Sequence, residues 1–548
     1  MDRRRNAQGR SSQAQIIIYL LISVLTIFFL LQCSSKIPKN DLPEPIIEDN
    51  PELIDLYWKA WSLIHQSRSH GNRINAFPKN YLNMTGNDVL DQWSTLSSSL
   101  FTIYGYYLYP VMQTLDLFYD KQRSDGFISR VYLVNSGDLL HIPTQHNPMI
   151  HPPLFTWVEL KYFEFTADTA RIQSVFPVLE KYFLWLDSYC RGKDEAANLY
   201  CSTPTGSGMM NLPRGEAVFG GWTDISAQMA MFADHLGRMA QILGNDEKSS
   251  YYRRKYLDIS ESIRTKLWHS DSTFYYHITR EGKQIKINTV AGFWPLLAKV
   301  PDGKIAQKLI KHLKDSCDFK SPHMFPSVSM REQEYNPKGF YWRGGVWGIM
   351  NYMIIQGLME YGEDDFAREA AWNHISNMNK VFLEFLPDTL IDFNVEKHKS
   401  LNTIWELYAP EGKKPGTRIA TYYGQGDYIA FSGHGPISML IENILGFKVE
   451  APTDELTWTI HRSDKHGIER LRFGDNLVSV WTDKRTEPSS LLSAHGKTES
   501  ALQINFIVEH DTFSIQFDPG PIEVTFIPDN FILKERFLPY PEGMSSTE

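Results

Sequence analysis

The most informative stretch of this chain lies at residues 341–347 and reads Tyr-Trp-Arg-Gly-Gly-Val-Trp. Asn351 follows it closely, and residues 404–410 (Ile-Trp-Glu-Leu-Tyr-Ala-Pro) again combine a tryptophan with a strongly polar group. Aromatic faces suit the apolar CH faces of a sugar ring, and Arg, Asn and Glu side chains hydrogen-bond sugar hydroxyls. The two segments therefore predict a sugar-binding cleft. The alternative is a tryptophan-rich core around one satisfied Arg, because buried aromatic residues are common.

Outward from this stretch, apolar residues recur with helical spacing from residue 51 to about residue 447. The spacing predicts helices near 52–68, 95–119, 153–165, 168–188, 224–242, 247–268, 303–315, 342–361, 363–382 and 428–445. Gly and Pro concentrate in the long connections at 200–222, 320–340 and 405–435, which we expect to gather functional residues on one face. Beyond residue 451, apolar and polar residues alternate with period two at 456–460, 477–481, 502–506 and 512–517. This change predicts a small β-sandwich over residues 451–535.

The N-terminus has the pattern of an export signal. Arg residues at 3–5 precede an apolar run from Ile16 to Leu31, and Cys33 follows. Residues 30–33 (Leu-Leu-Gln-Cys) resemble a bacterial lipobox, although Gln stands where a small residue is usual. We therefore expect residues 1–33 to be a lipoprotein signal with lipidation at Cys33. An uncleaved signal anchor is the alternative, although the run is shorter than the roughly 20 apolar residues that span a bilayer.

Both interpretations give an extracytoplasmic protein that is anchored to a membrane of the cell envelope. Residues 34–50, with three prolines among charged residues, are expected to be the linker that lifts the body from the membrane. The net charge is −9, the pI is near 6.0 and no basic stripe is found, so a nucleic-acid partner is not expected. Cys190 and Cys201 can pair as a disulfide or remain thiols, and Cys317 is expected to be a buried free thiol.

Several motifs follow one another between residues 85 and 445. They are residues 121–130 (KQRSDGFISR), 151–155 (HPPLF), 207–214 (SGMMNLPR), 289–295 (TVAGFWP), the Trp-Arg-Gly stretch and the segment around Glu406. Together they resemble glycoside hydrolase family 63 in its bacterial branch, near the mannosylglycerate hydrolases and more distantly the trehalases. The resemblance implies a mainly α fold, an (α/α)6 barrel over residues 51–447 with the small β-sandwich behind it. It also implies an inverting O-glycosyl hydrolase that acts on an α-linked glucoside or mannoside, of glycerate or trehalose type.

By this resemblance, Glu406 stands at the position of the family's catalytic base, which activates water. The position of the general acid holds Met210, whose thioether has no proton to donate. Ser94 stands where relatives have an Asp that contacts sugar hydroxyls. Glu216, in the same long loop as Met210, is the candidate substitute for the acid, and a solvated loop charge is its other interpretation. Asp224 is a second candidate, although it is also well placed to cap a helix.

The other candidate ligands are aromatic residues for stacking and polar residues for hydroxyl or carboxylate groups. They are Trp93, Arg130, Asn211, Arg214, Trp342, Arg343, Trp347, Asn351, Trp405 and Tyr408. An Arg suits a substrate carboxylate such as glycerate through its two-pronged guanidinium. The chemistry requires no cofactor or metal, and the expected partner is an oligosaccharide or small glycoside. Two alternatives remain: a catalytically eroded family member that binds carbohydrate or serves as a scaffold, and another (α/α)6 activity such as a lyase or an epimerase.

Overall fold

The structure is a computed structural model that describes residues 36–144, 147–214, 219–386, 401–419, 422–486, 491–508 and 511–526. The proposed signal and Cys33 lie outside these residues. The short segment 36–41 contains one 3-10 turn (Lys39–Asp41), and the chain from Leu42 onward forms one compact unit. Within the described ranges, no helix combines the length and the apolar character that crossing a bilayer requires.

Helices dominate the chain up to residue 444, which confirms its mainly helical character. They are α1 (Glu52–Gln66), α2 (Gln92–Thr102), α3 (Val111–Asp120), α4 (Phe155–Thr166), α5 (Thr169–Tyr189), α6 (Thr223–Ile242), α7 (Asp246–Lys266), α8 (Trp294–Leu297), α9 (Gly303–Lys314), α10 (Gly348–Met359), α11 (Asp364–Glu384) and a π-helix (Gly435–Ile444). The single helix expected at 95–119 is two helices, α2 and α3. Pro110 directly precedes α3, and it has no backbone N–H with which to continue a helix.

Every second helix belongs to one closed set of contacts. Helix α2 contacts α4, α4 contacts α6, α6 contacts the short α8, α8 contacts α10, and α10 contacts the π-helix, which returns to α2. The intervening helices pack against members of this set, as α7 does against α6 and α11 against α10. Segments that carry predicted site residues lead directly into two of these helices. Asp91 is the N-cap of α2, and Trp347 is the N-cap of α10. The fold therefore gathers the predicted site at one end of the helices.

Short strands also lie within the helical part. They are β2 (Arg68–Ser69), β3 (Tyr81–Leu82), β4 (Val89–Asp91), β5 (Val131–Leu133), β6 (Trp268–His269), β7 (Phe274–Tyr275), β8 (His277–Ile278), β9 (Gln284–Ile285), β10 (Thr417–Ile419) and β11 (Tyr422–Tyr423).

Two sheets form the C-terminal part. The sheet strands are β1 (Glu44–Ile47), β12 (Phe447–Glu450), β13 (Glu455–Ile460), β14 (His466–Phe473), β15 (Asn476–Thr482), β16 (Leu492–Thr498), β17 (Leu502–Val508), β18 (Asp511–Phe517) and β19 (Gly520–Phe526). One sheet has the order β1-β14-β15-β16-β19 and the other β12-β13-β17-β18. They pack face to face, since Phe506 and Phe526 from opposite sheets lie 5.4 Å apart between ring centroids.

The strand β1 corrects the expected linker at 34–50. Residues 44–47 pair with β14 in antiparallel register, from Glu44 opposite Glu469 to Ile47 opposite His466. Ile47 is buried, as an inward-facing residue of a strand should be. Residues 44–47 are therefore part of the folded body, as the edge strand of the C-terminal sheet that contains β14.

The three cysteines among the described residues, Cys190, Cys201 and Cys317, are free thiols. Cys190 and Cys201 are both buried, and the amide N of Cys201 donates to the carbonyl O of Cys190 at 2.9 Å. Burial raises the pKa of both thiols, to about 12 for Cys201. The prediction of a buried Cys317 is wrong, because this thiol is exposed.

Buried neutral histidines make the fold sensitive to acid. Burial lowers the pKa of His235, His277 and His374 to about 3. In the unfolded chain the same side chains titrate near 6.5, so below that pH the unfolded state binds protons that the folded state excludes. Each group therefore stabilises the fold fully above pH 6.5 and loses about 2 kcal/mol of that contribution by pH 5.

We expect the free energy of unfolding to fall steeply between pH 7 and pH 5, as measured by urea denaturation with tryptophan fluorescence. His235→Gln should flatten this dependence, because one proton-excluding group is gone. The exposed His70 provides the control, since His70→Gln should leave the slope unchanged. Equal unfolding free energies of the wild type at the two pH values would contradict the prediction.

Candidate active site

Glu406 is a buried carboxylate held by donors from two segments. Its side chain is 4% exposed. The Tyr341 hydroxyl donates to Oε1 at 3.2 Å, and the backbone N–H of Gln425 donates to Oε2 at 3.1 Å. Gly424 approaches so closely that an added Cβ would lie 3.4 Å from Oε2. Two donors and a tight backbone fix the orientation that a group activating a water molecule requires.

Burial raises the pKa of Glu406, and three groups oppose it: the Gln425 N–H, the positive charge of Arg418 and the Tyr341 hydroxyl. Arg418 also lies over the Tyr341 ring, with 5.8 Å between the guanidinium carbon and the ring centroid. These groups favour the ionised form, which is the form a general base needs.

Tyr341→Phe should move the acid limb of the pH–rate profile of kcat/KM upward by about one pH unit. The variant removes one hydrogen bond to the carboxylate, worth about 1.5 kcal/mol, so the pKa of Glu406 rises and activity is lost at a higher pH. An activated aryl glycoside serves as substrate. Tyr335→Phe is the matched control, because the Tyr335 hydroxyl donates to Glu411 at 3.0 Å in an exposed pair. An unshifted limb in Tyr341→Phe would show that this hydroxyl does not tune the base.

The loop that carries Met210 is fastened to the segment before α10. Asn211 accepts from the backbone N of Trp342 at 2.7 Å and donates from Nδ2 to the carbonyl of Phe340 at 3.2 Å. Since Tyr341 lies between these two residues and donates to Glu406, the loop and Glu406 meet at one site. Met210 is 43% exposed beside this junction. The side-chain amide of Asn211, which was predicted to bind substrate, instead positions the Trp-Arg-Gly stretch through these two hydrogen bonds.

The beginning of α2 contributes a carboxylate that the sequence motifs did not indicate. Asp91 is the N-cap of α2 and accepts from the backbone N of Ser94 at 2.8 Å. Ser94 in turn lies 3.3 Å from the Tyr428 hydroxyl through its Oγ. Burial raises the pKa of Asp91, while the Ser94 N–H and the charge of Arg130 oppose the rise. Tyr428 and Tyr341 are both influenced by the charges of Asp91 and Glu406, so the two carboxylates share one neighbourhood.

The predicted tryptophan wall is an interior layer. Trp342 and Trp347 stack on each other at 4.2 Å with nearly parallel rings, and Trp93 lies beside Phe431 at 5.5 Å. These tryptophans and Trp405 are all buried. Gly208 has positive φ and touches the Trp93 indole, where a Cβ would lie 2.8 Å from the ring. The tryptophans therefore support the loops around Glu406, whereas Tyr341, which donates to the carboxylate, is partly exposed.

Arg214 and Asp224 form a buried ion pair. The guanidinium of Arg214 binds the carboxylate of Asp224 through two bonds of 2.8 and 2.6 Å, both side chains are buried, and Arg214 lies over Trp222 at 4.4 Å. The pair keeps the pKa of Asp224 lowered despite its burial. An ionised carboxylate cannot donate a proton, and the Arg214 side chain is too deeply buried, at 2% exposed, to reach a substrate. The expected N-cap is also corrected, since Trp222 holds that position of α6 and Asp224 is its second residue.

The remaining predicted residues divide between interior and rim. Asn351 is buried and donates to the carbonyls of Met324 and Trp347. Tyr408 is also buried, and its hydroxyl accepts from the backbone N of Trp405. Arg343 is exposed, and its Nε donates to the carbonyl of Asn211 at 3.3 Å. Glu216 lies outside the described residues.

The sequence analysis did not indicate three groups in the surroundings of Glu406: Asp91, Tyr428 and Arg418. Asp91 had a readable signature, because an Asp three residues before a Ser, at the end of a short apolar run, favours an N-cap. Tyr428 and Arg418 come near Glu406 only through the folding of the loop at 405–435, so no local pattern marks them.

Comparison with known proteins identifies the family of this chain. Residues 110–410, more than half of the chain, match the sequence profile of the mannosylglycerate hydrolase MGH1-like glycoside hydrolase domain. An uncharacterized protein of Borreliella burgdorferi is 27% identical over 442 residues, covering 79% of this chain and 88% of its own. The mannosylglycerate hydrolase of Thermus thermophilus is 34% identical over 97 residues, which are 18% of this chain and 23% of that enzyme.

A solved structure shares the fold. The GH63 mannosylglycerate hydrolase from Thermus thermophilus, solved in complex with glucose, superposes with a TM-score of 0.53 at 18% identity, covering 70% of this chain and 99% of that one. The family resemblance drawn from the motifs is thereby confirmed. The chain belongs to the mannosylglycerate hydrolase MGH1-like glycoside hydrolases of family 63, and it is by that membership an O-glycosyl hydrolase.

Proposed function

We propose that this protein is an inverting glycoside hydrolase that acts on an α-linked glucoside or mannoside, with Glu406 as the general base. The observation that carries the proposal is the placement of Glu406, a buried carboxylate fixed by Tyr341 and Gln425 beside the loop of Met210. A base that activates water in an inverting enzyme needs this fixed orientation and relief from bulk solvent.

The helix contacts support an (α/α)6 barrel as the scaffold. Six helices in a closed series of contacts, with the other helices packed against them, correspond to an inner and an outer ring. In such a barrel the loops at one end of the inner helices surround the substrate. Asp91, Trp347 and His434, which directly precede three of these helices, lie at that end.

The proton donor is the unusual part of the proposed mechanism. With Met210 at the acid position, the leaving oxygen receives no proton from that side chain. Glu216, in the same loop, remains the proposed substitute. Without an efficient donor, the rate depends on how well the leaving group departs unprotonated. We therefore expect fluoride and nitrophenyl leaving groups to be favoured strongly over alkoxide ones.

An acidic aglycone of glycerate type is supported by two guanidinium groups on the rim. Arg343 and Arg418 are exposed near Tyr341, the residue that contacts Glu406. A guanidinium binds a carboxylate with two parallel hydrogen bonds, and an exposed Arg can reorient to make them.

A hydrolysis screen tests the proposal. Wild-type protein is assayed with α-glucosyl fluoride, α-mannosyl fluoride, the nitrophenyl α-glycosides, mannosylglycerate and trehalose, and the anomer of the released sugar is read by NMR. We expect cleavage of at least one activated α-glycoside with release of the β-anomer. Release of the α-anomer would contradict inversion. Sugar binding without cleavage of any substrate would favour the eroded, carbohydrate-binding alternative that Met210 and Ser94 suggest.

We also propose that the mature protein is a membrane-tethered lipoprotein with its body outside the cytoplasm. The support is the basic-apolar-Cys pattern at the N-terminus, which lies outside the described residues. Mass spectrometry of the membrane form should show a diacylglyceryl group on Cys33 as the first residue. A mature chain that retains residues 1–32 would contradict lipidation.

A further inference from the structure

The N-terminal end of α2 holds a carboxylate that the proposed mechanism does not use. Asp91 caps the helix by accepting from Ser94 N, and its side chain remains 17% exposed. In a helix, the N-cap and the third helical residue lie side by side, which is why they can bond each other reciprocally. Asp91 and Ser94 are this pair. The carboxylate therefore occupies the same helix end as position 94, next to the Tyr428 hydroxyl.

A buried guanidinium with unused donors lies beside Asp91. The carbonyl of Arg130 accepts from the backbone N of Gln92 at 2.8 Å, so Arg130 and Asp91 sit at neighbouring points where β4 and β5 pair. Arg130 is 8% exposed, and its Nε has no partner among the described residues. Its charge influences Asp91, but no ion pair joins the two side chains within the described part of the chain.

His151 lies between these two groups and is neutral. Its Nδ1 is 2.6 Å from the carbonyl of Gly206, which can only accept, so Nδ1 carries the proton. Burial and Arg130 lower the pKa of His151 to about 3. Its Nε2 is then an acceptor, 3.4 Å from Nη1 of Arg130 and 4.0 Å from Oδ1 of Asp91. Because His151 satisfies at most one guanidinium N–H, donors remain beside a carboxylate that can still accept.

We propose that Asp91 and Arg130 bind adjacent hydroxyl groups of the sugar, with Asp91 accepting from one hydroxyl and Arg130 donating to its neighbour. This inference rests on the proposed function, since it assigns the recognition of the glycone to a specific pair at the same site. A carboxylate and a guanidinium side by side match two vicinal hydroxyls, each of which can donate and accept. The pair distinguishes sugars by the configuration of those two hydroxyls. Position 94 holds a Ser and offers no carboxylate, so Asp91 at the N-cap provides it instead.

The test moves the carboxylate by one helical turn. Asp91→Ser removes the acceptor but keeps a good N-cap, because Ser caps about as well as Asp. Asp91→Ser combined with Ser94→Asp places the carboxylate at the third helical residue, where an acidic group also suits the helix dipole. Asp88→Asn is the matched control, since this exposed carboxylate lies in the same segment. Binding of D-glucose, D-mannose and their monodeoxy analogues is measured by calorimetry.

We expect Asp91→Ser to raise the Kd of the preferred sugar by about 10- to 100-fold, the usual worth of hydrogen bonds to a charged group. The relocated variant should recover most of this loss, and Asp88→Asn should bind like the wild type. One monodeoxy sugar should bind the wild type weakly and be insensitive to Asp91→Ser, which identifies the contacted hydroxyl.

Two results would overturn the inference. The first is an unchanged Kd in Asp91→Ser, including the case in which only the hydrolysis of unactivated substrates falls, because that would make Asp91 a proton donor. The second is an equal loss for all sugars that relocation does not recover. Hydrolysis by the wild type is measured separately. If sugar binding depends on Asp91 but no substrate is hydrolysed, this inference holds and the proposed function is contradicted. If the wild type hydrolyses a substrate but its sugar binding does not depend on Asp91, the proposed function holds and this inference is contradicted.

Discussion

Met210→Asp should raise the hydrolysis of unactivated α-glycosides by about 10²–10⁴-fold, the usual contribution of a positioned general acid. Met210 is 43% exposed, so a shorter, polar side chain fits without a new cavity. Its neighbour Asn211 keeps the loop fastened to Phe340 and Trp342 through its own side chain. The gain should be small for glycosyl fluorides, because fluoride departs with little protonation.

Met210→Asn is the matched control, since it has the shape of Asp but no acidic proton. The kcat of both variants is measured with mannosylglycerate or trehalose and with the corresponding fluoride. An equal rate for the Asp and Asn variants on the natural type of substrate would show that position 210 does not face the leaving oxygen. Adding Ser94→Asp to Met210→Asp should bring little further gain, because Asp91 already places a carboxylate beside position 94.

Glu406→Gln should lower kcat by about 10³-fold on every substrate, activated or not. A general base acts on the attacking water, so its loss is felt whatever the leaving group is. Gln is isosteric: its carbonyl oxygen can accept from the Gln425 N–H, and its amide NH2 can donate to the Tyr341 hydroxyl, which is able to accept. The fold should therefore be unchanged. The exposed Glu411 lies nearby in the chain, and Glu411→Gln serves as the control.

The readout for Glu406→Gln is hydrolysis of an α-glycosyl fluoride, with added azide as a second arm. Azide is a nucleophile that needs no base, so it should restore turnover and yield a β-glycosyl azide. Undiminished hydrolysis in Glu406→Gln would remove Glu406 from the role of base. Loss of hydrolysis with a lowered melting temperature would point to a structural role instead, and the azide arm would then show no rescue.

Much of the fold could be predicted from the sequence because helical and strand periodicities are local. The spacing of apolar residues indicated most of the helices from α1 to α11, and period-two alternation indicated β13, β15, β17 and β18. The errors arose where a distant partner decides the structure. Residues 44–47 form a strand only because β14 lies beside them, and the closed series of helix contacts depends on packing that no single segment encodes.

The site was predicted less completely, for a physical reason. Glu406 and the loop of Met210 could be proposed for one site because their motifs are specific, and the structure links them through Tyr341 and Asn211. Whether a side chain can contact a substrate depends on its tertiary partners. Arg214 and Asp224, both predicted site residues, form a buried ion pair with each other instead. The tryptophans predicted to stack on a sugar are buried in the interior, which the sequence alone could not show.

The pairing of β1 with β14 sets an order of events during synthesis. Glu44 is among the first residues of the body to leave the ribosome, and its partner Glu469 is among the last. At about 5–20 residues per second, the first strand waits roughly 20–80 s for its neighbour. Arg470, which bonds Glu44, and Asp464, which accepts from the backbone N of Asp49, arrive with that neighbour. The pairing that joins β1 to the C-terminal sheet therefore cannot form until the last domain of the body has been synthesised.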